Sequence, residues 1–203
     1  MGRPRIHDQA TKERLLARAA ETVSTSGVRA LNVRTLAADV GTSTAAVYTL
    51  FGGKSGLVSA LYLRVFQRFA TALAAVGRSA DPVDDVVRLG MAYRQYAVAD
   101  PNGYRIMFGD EVRPADVSAR AARTGAQTFD PLLDAVRRAV EAGRFPAEPE
   151  PSGIATALWA NVHGLVSLEL GGFMPPDAGD PAAVFEIAVR ANVAGWAALA
   201  QGG

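Results

Sequence analysis

Thr42, Thr44 and Thr49, with the bare methyl of Ala45 among them, fall in one short segment that carries no acidic residue. Short hydroxyls and methyls of this kind can meet phosphates, base edges or a thymine methyl. The surrounding segment Leu36-Ala37-Ala38-Asp39-Val40-Gly41-Thr42-Ser43-Thr44-Ala45-Ala46-Val47-Tyr48, which holds Thr42, Thr44 and Ala45 and ends one residue before Thr49, has the form of a helix-turn-helix. Ala37, Val40 and Val47 are small or apolar where two helices must pack at a steep angle, and Gly41 supplies the tight turn. Such a unit lays its second helix in the major groove while the first crosses the backbone. A purely structural helical hairpin of the same size is the competing reading.

Bond-making chemistry finds no comparable constellation. The 203 residues include no Cys and only two His, His7 and His163, and no Gly-rich phosphate loop. Glu169 stands six residues from His163 and so points elsewhere on a helix. A disulfide scaffold, a thiolate metal site and a Cys nucleophile are excluded, and no metal or cofactor is expected. The chain does not read as an enzyme.

The elements that must carry the threonines are helical. The chain holds 39 Ala, the residue of highest helix propensity, and no strand-like alternation is visible. Leu16, Ala19, Ala20 and Val23 recur on one helix face up to a stop at Ser26-Gly27. Asn32 is placed to cap a short helix from Val33 to Val40, and Thr42 or Ser43 to cap another from Thr44 to about Phe51. A longer helix starts at Lys54 or Ser55, with Leu57, Leu61, Val65, Phe66 and Phe69 inward, and ends by Gly77. Further helices are expected over 82–99, 102–108, 114–142, 152–170 and 181–201, with Pro131 kinking or splitting the long one near Asp130. The expectation is an all-α fold of about nine helices, with a three-helix head over 1–54 and a larger helical body over 55–203.

Charge divides the chain at the same place. The net charge is +1, but up to Lys54 eight basic residues face four acidic ones, while the remainder holds 13 basic and 16 acidic. A basic head on a mildly acidic body suits a polyanionic partner for the head alone. Arg3 and Arg5 in Gly2-Arg3-Pro4-Arg5 form either a minor-groove arm or a nonspecific basic tail. The basic N-terminus has no apolar stretch behind it, and the uncharged run from Ser152 to Leu168 is short of the roughly 20 residues that span a bilayer, so a cytoplasmic protein with no membrane partner is expected.

Residues 5 to 58 resemble the N-terminal domain of TetR-type transcriptional regulators, through Leu36-Ala37 to Gly41, Val47-Tyr48, Phe51, and Lys54 with Leu57. Trp159-Ala160-Asn161-Val162-His163-Gly164 is similar to the Trp-x-x-x-His-Gly motif of one C-terminal subgroup of that family. The resemblance implies that Tyr48 and Lys54 bind phosphates, that the third helix reads bases, and that Arg34 reaches a base or phosphate. Where the commonest family pattern has His then Phe after the Tyr, this chain has other residues, and Leu50 receives no such role.

The resemblance also implies a small-molecule pocket in the body, and Phe66, Phe69, Met91, Tyr93, Tyr96, Met107, Phe108 and Phe129 are an aromatic and Met inventory compatible with one. Arg94 joins Tyr93 and Tyr96 as a group that could orient a ligand. Trp159 and His163, four apart, share a helix face: they are either pocket wall and polar anchor, or a core Trp beside a satisfied histidine. One head makes few phosphate contacts, so a homodimer reading half-sites about 34 to 36 Å apart is expected. Leu158, Val162, Leu165, Val166, Val189 and Trp196 on the last two helices are its candidate face, or else part of the monomer core.

These residues together describe a ligand-responsive repressor released from a palindromic double-stranded operator by a small, largely apolar molecule. A helical ligand-binding or scaffold protein without specific DNA binding is the alternative.

Overall fold

The computed structural model describes residues 4–109 and 112–201. Arg3 lies outside the described residues, and the side chain of Arg5 does too. The elements are α1 (Pro4–Ala30), α2 (Val33–Asp39), α3 (Thr44–Phe51), α4 (Lys54–Ala74), α5 (Pro82–Ala99), α6 (Pro101–Phe108), a 3-10 turn (Pro114–Asp116), α7 (Ala119–Gln127), α8 (Asp130–Glu141), α9 (Pro151–Gly171) and α10 (Pro181–Gln201). No strand occurs among the described residues.

Local chemistry accounts for the boundaries. Asn32 Oδ1 accepts from the Arg34 and Thr35 amides at 2.8 and 3.2 Å, and Ser43 Oγ accepts from Ala46 N at 3.1 Å, so α2 and α3 both begin at capped turns. Gly27 carries φ 78 and ψ 167, which breaks the regular part of α1 where the sequence signals a stop. Pro131 splits the expected long helix: its missing N–H costs nothing in a first turn, so it begins α8, while Ser118 Oγ accepts from Ala121 N at 3.3 Å and starts α7.

The helices form two compact units, Met1–Arg68 with Asp100–Gln127, and Phe69–Ala99 with Thr128–Gly203. The boundary expected after Lys54 therefore does not coincide with the division of the fold. The reason is the first part of α4, whose Leu57, Leu61, Tyr62, Val65 and Phe66 are buried in the first unit. Arg64 pairs with Glu13 of α1 at 2.9 Å, and the Phe66 ring meets Phe108 of α6 edge-on at 6.0 Å. Gly125 of α7 approaches α4 so closely that a Cβ there would stand 3.1 Å from Tyr62 Oη.

In the second unit α5, α8, α9 and α10 surround Val86, Leu89, Val136, Ile154, Val166 and Phe185, all buried. Gly90 lets α5 close on both of the last helices: a Cβ there would lie 3.1 Å from Val189 Cγ1 and 3.5 Å from Val162 Cγ1. Asp85, 1% exposed, is the buried polar centre of this unit. It accepts from Ser79 N at 3.1 Å, Ser79 Oγ at 2.7 Å and Arg138 Nη2 at 2.7 Å, and pairs also with Arg88. Arg88 and Arg138 in turn donate to the Val76 and Ser79 carbonyls, so one cluster fastens the α4–α5 connection to α5 and α8. Burial alone would raise the Asp85 carboxyl, but the hydrogen bonds from Arg138 and Ser79 and the Arg88 charge outweigh it and hold the group at about 2.

Candidate functional site

The helix-turn-helix closes through Gly41 N to Ala38 O at 3.1 Å and Thr42 N to Ala37 O at 2.9 Å, with Leu36, Ala37 and Val47 buried beneath the turn. Thr44, Ala45 and Thr49 are exposed on α3, Arg34 is exposed on α2, and Thr42 is half-buried in the turn. These groups therefore share one motif whose two helices are capped and packed, a rigid mount for base-edge contacts. Thr49 Oγ1 donates to Ala45 O at 2.9 Å, which commits its proton inside α3 and leaves its oxygen as an acceptor and its methyl as an apolar contact.

Tyr48 is 60% exposed although its ring rests against the chain. Gly53, at φ 113, provides the seat: a Cβ there would lie 3.2 Å from Tyr48 Cε1. Lys54 is half-buried, and its Nζ donates to Arg29 O at 3.3 Å, fastening the first turn of α4 to the end of α1. This use takes one of three ammonium donors, so the lysine has a structural task beside the phosphate contact expected of it. Gly56 is tighter still, because a Cβ would fall 1.6 Å from Phe51 O and α3 could not meet α4 as it does. The sequence pattern marks Gly53 only as a helix break with Gly52 and passes over Gly56, since nothing in their spacing reports a close approach.

Among the described side chains of residues 9–54, each acidic group is in an ion pair. Arg18 pairs with Asp39 at 2.8 Å and with Glu21 at 3.0 Å, and Glu13 is held by Arg64. Arg14, Arg29 and Arg34 are exposed on the same unit, which leaves its field positive toward a phosphate backbone.

The expected ligand residues separate between the units. Phe66 and Met107 are buried and Phe108 half-buried in the first, where Phe66 lies 4.6 Å from Tyr62 between ring centroids and Tyr104 packs on Phe108 at 5.2 Å. Those three are core of that unit. In the second, Phe69 meets Tyr93 and Tyr96 at 5.4 and 5.1 Å, Phe129 meets Trp159 at 5.9 Å, and Trp159 meets His163 at 6.0 Å. Met91 is half-buried on α5. Tyr93 Oη and His163 Nδ1 share a hydrogen bond of 3.0 Å, and burial pushes the His163 imidazole below its ordinary value, toward the neutral form. Arg94 is not available as a ligand anchor: it forms a two-point pair with Glu169 at 2.8 and 2.6 Å, beneath the Phe185 ring. Residues 75 apart leave no sequence signal for such a pair.

The candidate dimer face needs correcting. Leu158, Val162, Val166 and Val189 are buried within the single chain, Val162 and Val189 against the open position at Gly90 of α5, so the packing of one chain already covers them. Leu165 and Trp196 are half-buried. The large apolar side chains that α9 and α10 do expose are Trp159, Leu168, Ile187 and Leu199, with Phe173 just beyond α9.

Residues 15–61 match the family model described as bacterial regulatory proteins, tetR family, and residues 86–192 match the tetracyclin repressor-like C-terminal domain. The chain is 26% identical over 200 aligned positions to the HTH-type transcriptional regulator Rv1816 of Mycobacterium tuberculosis (strain ATCC 25618 / H37Rv), covering 83% of this chain and 84% of that one. A protein of unknown function from Rhodococcus sp. RHA1 superposes with a TM-score of 0.78 at 28% identity over 92% of this chain and 95% of that one. The TetR family regulator PfmR from Thermus thermophilus shares the fold, with a TM-score of 0.70 at 21% identity over 89% of this chain and 97% of that one. With a head that presents α3 on a capped, glycine-seated mount and both of its segments matched, the chain belongs to the TetR family of DNA-binding transcriptional regulators.

Proposed function

We propose that this regulator is a homodimeric repressor that holds a palindromic operator and releases it when a small molecule binds the second unit. The observation that carries the DNA contact is the exposed set Arg34, Thr44, Ala45, Tyr48 and Thr49 on two capped helices. Tyr48, Lys54 and Arg34 serve phosphates or a base edge, while Thr42, Thr44, Ala45 and Thr49 serve the groove. Arg3 and Arg5 add an arm to the adjacent minor groove.

The apolar side chains exposed on α9 and α10 support a second copy as partner. Ile187 at 68% and Leu199 at 61% exposure flank the small exposed residues Ala191, Ala194, Gly195 and Ala198, with the paired Arg190 at the edge of the same face, and Gly195 has open space where a Cβ would be. By length and composition α10 could cross a membrane, with mean hydropathy 1.3. Its Phe185, Val189 and Val193 are buried against the chain and Glu186 pairs with Arg190, which favours a protein partner and a cytoplasmic site. Ligand coupling to the operator amounts to about 1 to 3 kcal/mol, the usual range for such devices.

A gel shift with the region upstream of the protein's own gene tests the reading. Specific retardation over random DNA is expected, lost in Arg34→Ala with Tyr48→Ala while the dimer persists. Absence of a shift at low salt, or an equal shift of random DNA, would instead favour a helical ligand-binding or scaffold protein.

A further inference from the structure

The segment from Val40 to Gly53, which contains α3 and the turns on either side of it, holds no Asp, Glu, Lys, Arg, His, Asn or Gln. The two-point hydrogen bonds that distinguish guanine or adenine in a major groove need Arg, Lys, Asn or Gln, and cytosine is selected by a carboxylate. This helix supplies none of these groups. What α3 exposes is Thr44, Ala45, Tyr48 and Thr49, which at about 100° per residue occupy one continuous arc of its surface.

Thr49 is the most constrained of the four. Its Oγ1 donates to Ala45 O at 2.9 Å, so the hydroxyl proton is not offered to a base, and the bond selects one of the rotamers open to a helical threonine and holds the Cγ2 methyl in one place. Ala45, one turn earlier on the same stripe, adds a second exposed methyl. Toward such a surface the four bases differ in one respect: thymine alone carries a 5-methyl group on its major-groove edge. We propose that Thr49, with Ala45 beside it, is a specificity-determining residue that selects thymine in the operator by packing its methyl against the thymine 5-methyl. The inference rests on the reading that α3 enters the major groove.

The probe is a duplex that the full-length protein selects from a random-sequence double-stranded library, remade with deoxyuridine in place of one thymidine at a time. Uracil keeps the Watson–Crick pairing and removes only the 5-methyl. At one thymine or more, the wild type should bind the uracil duplex at least about threefold more weakly, the scale of one lost methyl contact. Thr49→Ser keeps the hydroxyl and deletes the side-chain methyl, so it should bind the thymine and uracil duplexes equally at that position. Thr49→Val keeps a methyl and deletes the hydroxyl, and should preserve the wild-type ratio. The position is exposed, and circular dichroism should show both variants with unchanged helical content. A uracil scan without effect at any position overturns the proposal, as does a ratio unchanged in Thr49→Ser. A ratio that Thr49→Ser keeps and Thr49→Val loses overturns it too, because the contact then belongs to the hydroxyl oxygen. The two readings fail separately. A selected duplex bound over random DNA yet indifferent to uracil sinks this inference alone, whereas a selection that enriches no sequence sinks the groove reading on which it rests.

Discussion

Replacing Asp85 by Asn removes one charge from a side chain that is 1% exposed and leaves Arg138 and Arg88 facing an amide. Losing one partner of a buried pair typically costs about 3 to 5 kcal/mol; here both arginines keep some solvent contact, so about 2 to 4 kcal/mol is expected at neutral pH. The carboxyl supplies an independent check through pH. Its value falls from 3.8 to about 2 on folding, so the native state favours the charged form, and the stability this confers is present above 3.8 and lost as pH falls through 2. At about 1.4 kcal/mol per unit, the shift corresponds to about 2 kcal/mol. Urea unfolding followed by circular dichroism, at one protein concentration and at pH 7, 5, 4 and 3, gives the difference between the wild type and Asp85→Asn. Other carboxylates titrate in both proteins and cancel. The difference should hold between pH 7 and 5, then shrink toward pH 3 as the carboxyl protonates in the unfolded wild-type chain while the folded one stays charged. A difference that stays constant down to pH 3, or a variant within about 0.5 kcal/mol of wild type at pH 7, would refute the account of this cluster.

Gly56→Ala should destabilise the head by about 1 to 3 kcal/mol or displace α3, because its Cβ meets a backbone oxygen that cannot rotate away; thermal unfolding and operator affinity should fall together, whereas Ser55→Ala, exposed one residue earlier, should change neither. Tyr48→Phe should reduce operator affinity by severalfold, with a smaller loss on added salt for Lys54→Met than in wild type, since each phosphate contact contributes about one unit to the salt slope; an unchanged slope would leave Lys54 only its bond to Arg29. Ile187→Asp places a charge on the outer face of α10, and sedimentation should then report monomer where the wild type is dimeric.

Sequence patterns reached the head well because its signals are local. Asn32 and Ser43 announce helix starts by their own side chains, Gly41 marks the turn, and the residues of α3 are exposed or buried by a period that a short window reveals. The second unit was less legible for the opposite reason. Apolar periodicity on α9 and α10 identifies faces but not what covers them, and an unoccupied Cβ position at Gly90, far earlier in the chain, lets Val162 and Val189 close inward. Pro131 could bend or end a helix on sequence alone; the Ser118 and Phe129 turns around it decided for an end. Nothing local distinguishes Asp85 from the exposed Asp84 beside it; its partner Arg138 lies 53 positions away.

The Arg94–Glu169 pair holds a further consequence for how such a regulator changes allegiance. Two opposite charges that cancel are also two latent recognition groups, each masked by the other at the wall of one unit. Loss of the arginine in a single substitution would expose an acidic anchor suited to cationic compounds, and loss of the glutamate would expose a basic one suited to carboxylates. On the proposed reading as a ligand-responsive regulator, either substitution would change the class of compound that the second unit accepts, while the first unit, which contains neither residue, would keep its DNA contacts.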